Sequence, residues 1–279
     1  MAATYLFVPA HDDRKVERAL ASEVDAVLLD LEDSVPEAEK GQARAAVARA
    51  LDRARAGGGP ELWVRVNELA GPCFAPDLDA IDWSRVTGAV VPKAEDPDAV
   101  RRLQAVGVRQ VILLIESVRG LTNLDHLADG RVVVRLALGT WDLSLDLGLV
   151  AVDDPDDSEL IWQIRGQVVI ESRRLGLVPP VDGIYARLHD DEGLRRACER
   201  AARMGFGAKL LVHPAQIPVA RQVFGSGSDR LELAREIVAA YDAAVAAGHG
   251  AVRVRDRVVD RPMVARARVL LARWEEAGR

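Results

Sequence analysis

The sequence predicts an α/β fold, a (β/α)8 TIM barrel with a C-terminal helical lid or arm. Eight short apolar runs rich in Val, Ile and Leu alternate with amphipathic stretches between residues 5 and 213. Runs that are apolar throughout belong to parallel strands covered on both faces. The chain has 279 residues and is 49% hydrophobic, enough for the ~250 residues that one such barrel needs. After residue 222 the alternation stops, which divides the chain into a catalytic barrel (1–224) and a lid or oligomerisation segment (225–279).

The expected strands are YLFVPA (5–10), AVLLDLED (26–33), LWVRVN (62–67), GAVVPK (88–93), VILLIE (111–116), VVVRLALGT (132–140), VDGIYA (181–186) and AKLLVH (208–213). Between them, RKVERALA (14–21), EKGQARAAVARALDRAR (39–55) and DAVRRLQAV (98–106) carry helical spacing. A further helix is expected from Asp154, whose cap position is followed by Pro155, to Leu175. Strand–helix alternation of this kind argues for one barrel. In the tail, GSGSD (225–229) reads as a flexible break and 231–248 as a helix ending at glycine. VRVRDRVVD (252–260) alternates as a short hairpin or strand, and 262–277 is a final helix with proline in its first turn.

Net charge is −6, and Arg residues are interleaved with Asp and Glu. That pattern lacks the clustered basic footprint of a nucleic-acid binder. No apolar run approaches the ~20 residues of a membrane span, and the N-terminus lacks the basic and apolar regions of a signal peptide. Cys73 and Cys198 are the only cysteines, too few for a disulfide framework and without ligand spacing. These features suit a reduced, cytoplasmic, water-soluble protein.

Barrel chemistry collects where strands end and βα loops begin. Those ends carry Pro9, Asp30/Glu32/Asp33, Arg65/Asn67, Lys93, Glu116, Asp142, Tyr185 and His213. Glu116 and Asp142, on adjacent units, suggest a site for Mg²⁺, which takes one or two carboxylates and fills its octahedron with water and substrate. Arg65 suits a substrate carboxylate or an oxyanion through its planar fork. Asp30, Glu32 and Asp33 read as acceptors for metal-bound water and partners of Arg65, with a helix N-cap the other reading of Asp33. Lys93 reads either as an anion contact or as an ion-pair partner of this acidic loop. His213 reads as a base or as a hydrogen-bonded strand end. Schiff-base chemistry would need a lysine in an apolar pocket, and neither Lys93 nor Lys209 has that context.

As a set, LFVP (6–9), DLEDSV (30–35), VRVN (64–67), VPK (91–93), LLIES (113–117), LGTWDLSLDLG (138–148) and GAKLLVHPAQI (207–217) resemble the citrate lyase β-subunit-like branch of the HpcH/HpaI aldolase family, with malyl-CoA and citramalyl-CoA lyases. The resemblance implies Glu116 and Asp142 as metal ligands and Arg65 as the residue facing substrate oxygens. It implies a CoA-binding surface at Pro9, Arg14 and Arg18, with Lys93, Gly139, Thr140 and Trp141 among the substrate or CoA contacts. VVDRP (258–262) resembles the family's lid motif, which implies that Asp260 reaches a neighbouring subunit's site in a trimer or dimer of trimers. The other reading of Asp260 is a cap on the last helix. Several positions depart from the family: Ala3-Thr4 stand for Arg-Ser, Ala10 for glycine, Arg18 for lysine and Trp141 for glutamate. Trp141 implies a pocket narrower than glutamate would leave, so the acyl group, citryl, malyl or another, stays open.

The reaction implied is reversible cleavage of a carboxylated 3-hydroxyacyl-CoA to a 2-oxo acid and an acyl-CoA. The alternatives are an aldolase for free 2-oxo acids, a thioesterase on the same thioesters, and a non-catalytic acyl-CoA-binding subunit.

Overall fold

A computed structural model of the chain describes residues 2–54, 59–128, 132–150, 153–225 and 228–277, with side chains described except at 228–230 and 273–277. It divides into two compact units, Ala2–Phe224 and the tail from Gly225 onward.

In the first unit eight parallel strands close a barrel in sequence order. They are β1 (Thr4–Pro9), β2 (Ala26–Asp30), β3 (Glu61–Arg65), β4 (Gly88–Val91), β5 (Val111–Ile115), β6 (Val133–Leu138), β7 (Val181–Asp182) and β8 (Ala208–Leu211). The ring shuts through β1 and β8, with Thr4 opposite Lys209. Around it lie α1 (Asp13–Leu20), α2 (Lys40–Arg53), α3 (Phe74–Ala80), α4 (Asp98–Ala105), α5 (Val118–Thr122), α6 (Leu124–Leu127), α7 (Thr140–Asp146), α8 (Glu159–Arg174), α9 (Asp191–Met204) and α10 (Ile217–Phe224).

Period-two alternation sorts the strand residues into two cores. Tyr5, Ala26, Leu28, Trp63, Val90, Ile112, Leu114, Ala137, Val181, Ala208 and Leu210 pack together without any helix residue, so they fill the barrel interior. Their neighbours Leu6, Val27, Leu29, Val64, Leu113 and Leu211 pack with helix residues such as Val16, Val47, Leu103 and Ile164. Both faces are therefore buried, which is why the runs carry no polar alternation. Toward the N-terminal face of β6, Arg135 bonds to the Ala2 carbonyl (2.9 Å) and the Tyr5 hydroxyl (3.0 Å), closing that end with Tyr5 and Trp63. Chemistry is left to the opposite end.

Two local readings need correction, and the exclusion of Lys209 from Schiff-base chemistry holds. Asp154 caps a separate 3-10 turn, Pro155–Asp157, and α8 starts afterwards with Ser158 Oγ accepting from the Ile161 amide. β7 is two residues long, not six, and pairs with β6 only through Ala137 and Val181. Lys209 is fully buried and bonds to Asp182 at 2.5 Å, beside Arg165, which reaches the same carboxylate at 2.7 Å. It faces the helix layer as a structural ion pair and takes no part in the interior.

The tail unit holds α11 (Ser228–Ala246), an antiparallel hairpin of β9 (Val252–Val254) and β10 (Arg257–Val259), and α12 (Arg261–Ala277). The expected break at 225–229 falls partly on residues 226–227, outside the described residues. The hairpin turns at Arg255–Asp256, with Arg255 in the left-handed region at φ 53°. Val254 and Val259 form a small core with Val264, Ile237 and Tyr241, so the polar-looking hairpin hides an apolar edge.

Candidate active site

The ladder places Pro9 opposite Asp30 and Asp30 opposite Arg65 at the C-terminal ends of β1, β2 and β3. Asp30 and Arg65 are both buried. Arg65 Nε meets Asp30 Oδ1 and Nη2 meets Oδ2, each at 2.7 Å, a two-pronged pair of high directional strength. Ser34 donates its hydroxyl and amide to the same carboxylate, and the Glu32 amide adds a 2.9 Å bond. Burial alone would raise the Asp30 pKa, but Arg65 and these donors outweigh it and hold the carboxyl below its ordinary value. The guanidinium also lies 4.6 Å from the centre of the Phe7 ring, within cation–π range.

The acidic loop engages Arg65 as expected. Glu32 Oε2 lies 2.9 Å from Nη1 and Asp33 Oδ2 lies 3.4 Å from it. The N-cap reading of Asp33 is overturned, because the next helical turn begins at Glu37 behind Pro36. Lys93 resolves in favour of the ion pair: its ammonium sits 2.8 Å from Glu32, with Asp33 and Glu68 at 3.8 Å. Its backbone adopts φ 43°, rare for a side-chain-bearing residue. The Lys93 amide donates to Glu116 Oε2 at 2.8 Å.

Glu116 follows β5 and is 5% exposed. Its carboxylate lies over Gly139, where an added Cβ would fall 2.3 Å from Glu116 Cγ and 2.5 Å from Oε1. Gly139, expected to touch substrate, thus makes room for Glu116. Asp142 is not a strand-end residue; it stands in the first turn of α7, half-buried. It has no hydrogen bond or ion pair among the described residues. Burial, then Glu32, and to a lesser degree Asp142 push the Glu116 carboxyl up to about 8, against the pull of the Lys93 amide and Arg65. Burial likewise raises Glu32 to about 7 although Arg65 and Lys93 oppose it.

Six carboxylates, of Asp30, Glu32, Asp33, Glu68, Glu116 and Asp142, thus gather around two cations, Arg65 and Lys93. Asp30 already neutralises Arg65. The surplus negative charge at Glu116 and Asp142 fits a divalent cation, which would favour the ionised form of both. No cluster of three His, Cys, Asp or Glu side chains able to hold a metal occurs among the described residues. A two-carboxylate site completed by water and substrate oxygens suits magnesium better than zinc. The Thr140 hydroxyl, next to Gly183 after β7, is buried with no hydrogen-bond partner among the described residues. Trp141 is 41% exposed.

The remaining expected residues have partners of their own or none among the described residues. Arg14 and Arg18 share the exposed face of α1, one turn apart, without ion pairs among the described residues. His213 Nδ1 accepts from the Ala215 amide at 3.2 Å and caps a 3-10 turn, the hydrogen-bonded strand end of its two readings. Tyr185 donates to Asp190 at 2.5 Å. Asp260 belongs to the tail unit and caps α12, its Oδ1 accepting from the Met263 amide at 3.3 Å. Lys40 escaped sequence reasoning, although its position on the stripe Ala43, Ala46, Val47, Ala50, Leu51 marks it as a charge on a buried face.

The HpcH/HpaI aldolase/citrate lyase family matches residues 3–214. The chain is similar to the (3S)-malyl-CoA thioesterase of Cereibacter sphaeroides, 33% identical over 274 residues covering 97% of this chain and 93% of that protein. It is similar to the mitochondrial citramalyl-CoA lyase of Mus musculus, 28% identical over 94% of this chain and 82% of that one. Among solved structures it resembles the CitE protein of Mycobacterium tuberculosis in complex with magnesium, acetoacetate and coenzyme A. That likeness has a TM-score of 0.78 and 29% identity, covering 98% of this chain and 97% of that one. With the barrel, its clustered strand-end residues and the family match in agreement, the chain belongs to the HpcH/HpaI aldolase/citrate lyase family.

Proposed function

We propose that the protein is a magnesium-dependent carbon–carbon lyase that cleaves, or forms, a carboxylated 3-hydroxyacyl-CoA thioester, giving a 2-oxo acid and an acyl-CoA. The observation that carries this reading is the Arg65 guanidinium, locked on Asp30 beside the under-neutralised Glu116 and Asp142. Relatives named for malyl-CoA and citramalyl-CoA chemistry support the substrate class, as do neighbours solved with magnesium and oxaloacetate or pyruvate.

Magnesium held by Glu116 and Asp142 would supply Lewis-acid polarisation of the 2-oxo carbonyl. Arg65, held on Asp30, directs its remaining Nη2 proton to the oxygen on which negative charge develops, an effect worth about 3 kcal/mol in comparable sites. In cleavage the hydroxyl proton passes to solvent water, leaving the 2-oxo carbonyl as the bond between the hydroxyl-bearing carbon and the thioester α-carbon breaks. Its electron pair passes to the thioester enolate, whose α-carbon then takes a proton. Asp260, from the tail of a neighbouring copy in a trimer or dimer of trimers, is the group assigned to that proton. Thr140 offers a free hydroxyl to substrate, and Arg14 and Arg18 offer unpaired charge to CoA phosphates.

A thioesterase reading has one specific support, the name of the Cereibacter sphaeroides relative. Incubation with magnesium and citramalyl-, malyl- and citryl-CoA, following 2-oxo acid and free thiol separately, distinguishes the two. Release of 2-oxo acid with the thioester intact is expected. Free thiol without 2-oxo acid from every member of the panel would overturn the lyase assignment.

A further inference from the structure

Lys40 opens α2 on the helix's buried face. Its ammonium meets three uncharged acceptors, the carbonyls of Leu31 (2.7 Å) and Glu32 (2.8 Å) and Asn67 Oδ1 (2.6 Å). An ammonium has three protons and no acceptor, so the group is saturated. No carboxylate lies within ion-pair distance of it among the described residues. The Asn67 amide cannot turn over, because its backbone N–H and its Nδ2 both donate to Asp77 Oδ2 at 2.7 Å. Asp77, fully buried, is held in turn by Arg44 Nε at 2.7 Å, one turn along α2 from Lys40.

We propose that Lys40 is a positioning residue for the site, tying the loop after β2 to the loop after β3. Its acceptors directly follow Asp30 on one side and lie two residues beyond Arg65 on the other. Fixing the Glu32 carbonyl fixes the base of the Glu32 side chain, whose carboxylate bridges Arg65 (2.9 Å) and Lys93 (2.8 Å). A tetrahedral ammonium serves three converging acceptors, whereas a longer planar guanidinium does not. The kinetic consequence rests on the lyase reading above; the tethering itself does not.

The test compares Lys40→Met, Lys40→Gln and Lys40→Arg with wild type. Amide hydrogen exchange is read at residues 31–35 and 65–67 and in β5 and β6, alongside kcat and KM. In Lys40→Met, exchange at the two loops should quicken about 10-fold or more while β5 and β6 keep wild-type rates. The same variant should lose about 10- to 100-fold in kcat with thioester KM within about 3-fold, the mark of misplaced groups and not of lost binding. Lys40→Gln, with two amide protons, should recover part of both effects; Lys40→Arg should not. Wild-type loop exchange, a loss confined to KM, or quickened exchange spread evenly through the barrel would each overturn the proposal. Should Lys40→Met fail to fold, Lys40→Gln is judged by the same criteria. If wild type cleaves no thioester in the panel, the lyase reading fails, and the exchange data still decide the role of Lys40.

Discussion

Asp30 and Arg65 stand opposite each other in the β2–β3 ladder and close a two-pronged ion pair at 2.7 Å on both arms. Strand register fixes both backbones, so the guanidinium plane is set by the sheet itself. Arg65→Lys retains the charge but loses this fork, and kcat should fall ~10²-fold or more if Arg65 stabilises an oxyanion. Steady-state kinetics on the cleaved thioester checks this, and a near-normal kcat would reduce Arg65 to a structural ion pair.

Glu116 rises from its ordinary value of 4.5 to about 8 chiefly through burial. A carboxyl whose folded pKa is raised contributes stability that is complete below its unfolded pKa and lost as pH rises through the folded one. Metal-free protein should therefore lose stability between about pH 4.5 and 8, and Glu116→Gln should flatten that slope. Magnesium binds the ionised form, so the cation should raise the melting temperature more at pH 8 than at pH 6. Thermal unfolding with chelator or magnesium at both pH values is the measurement, and equal shifts would contradict the assignment.

Gly139 has no backbone need for glycine, since its φ is −97°; its constraint is the Glu116 side chain. In Gly139→Ala the Cβ would sit 2.3 Å from Glu116 Cγ and displace the carboxylate. The fold should survive with a loss of about 1–3 kcal/mol in urea unfolding. Magnesium affinity should drop at least ~10-fold, as when a supporting group of a metal site is removed. Unchanged affinity would show that Glu116 has room to spare.

The barrel was legible because burial on both strand faces erases polar alternation, and every one of the eight apolar runs became a strand. The Arg65 partners were legible for a related reason: charges that end apolar runs converge at one rim. What sequence left open was the identity of each contact. Lys93 spends its side chain on Glu32 and its amide on Glu116, and the second role depends on a left-handed backbone that composition does not announce. Asp142 reads as a strand end, but the chain turns into α7 at Thr140. Lys40 and Asp77 act through contacts more than 25 residues apart in sequence with Asn67 and Arg44 respectively, beyond the reach of local pattern.

Asp260 carries two assignments that one substitution separates. Asparagine caps helices about as well as aspartate, so Asp260→Asn should leave α12 and the melting temperature nearly unchanged. If the carboxylate moves a proton, activity should nevertheless fall about 10²-fold or more. Mixing this variant with an Arg65→Ala chain should restore activity when Asp260 acts across subunits, because some mixed sites then hold both native residues. Full activity in Asp260→Asn alone would leave only the cap, and absence of rescue despite verified subunit exchange would rule out a shared site.

The claim on which the functional reading turns is that Glu116 and Asp142 hold the divalent cation. Titration of metal-free protein with Mn²⁺ in place of magnesium, read by electron paramagnetic resonance, counts bound ions directly and needs no substrate. Wild type should bind one ion per chain, displaced by excess magnesium, with affinity falling at least ~10-fold in both Glu116→Gln and Asp142→Asn. Undiminished affinity in both variants would place the cation elsewhere and contradict the account.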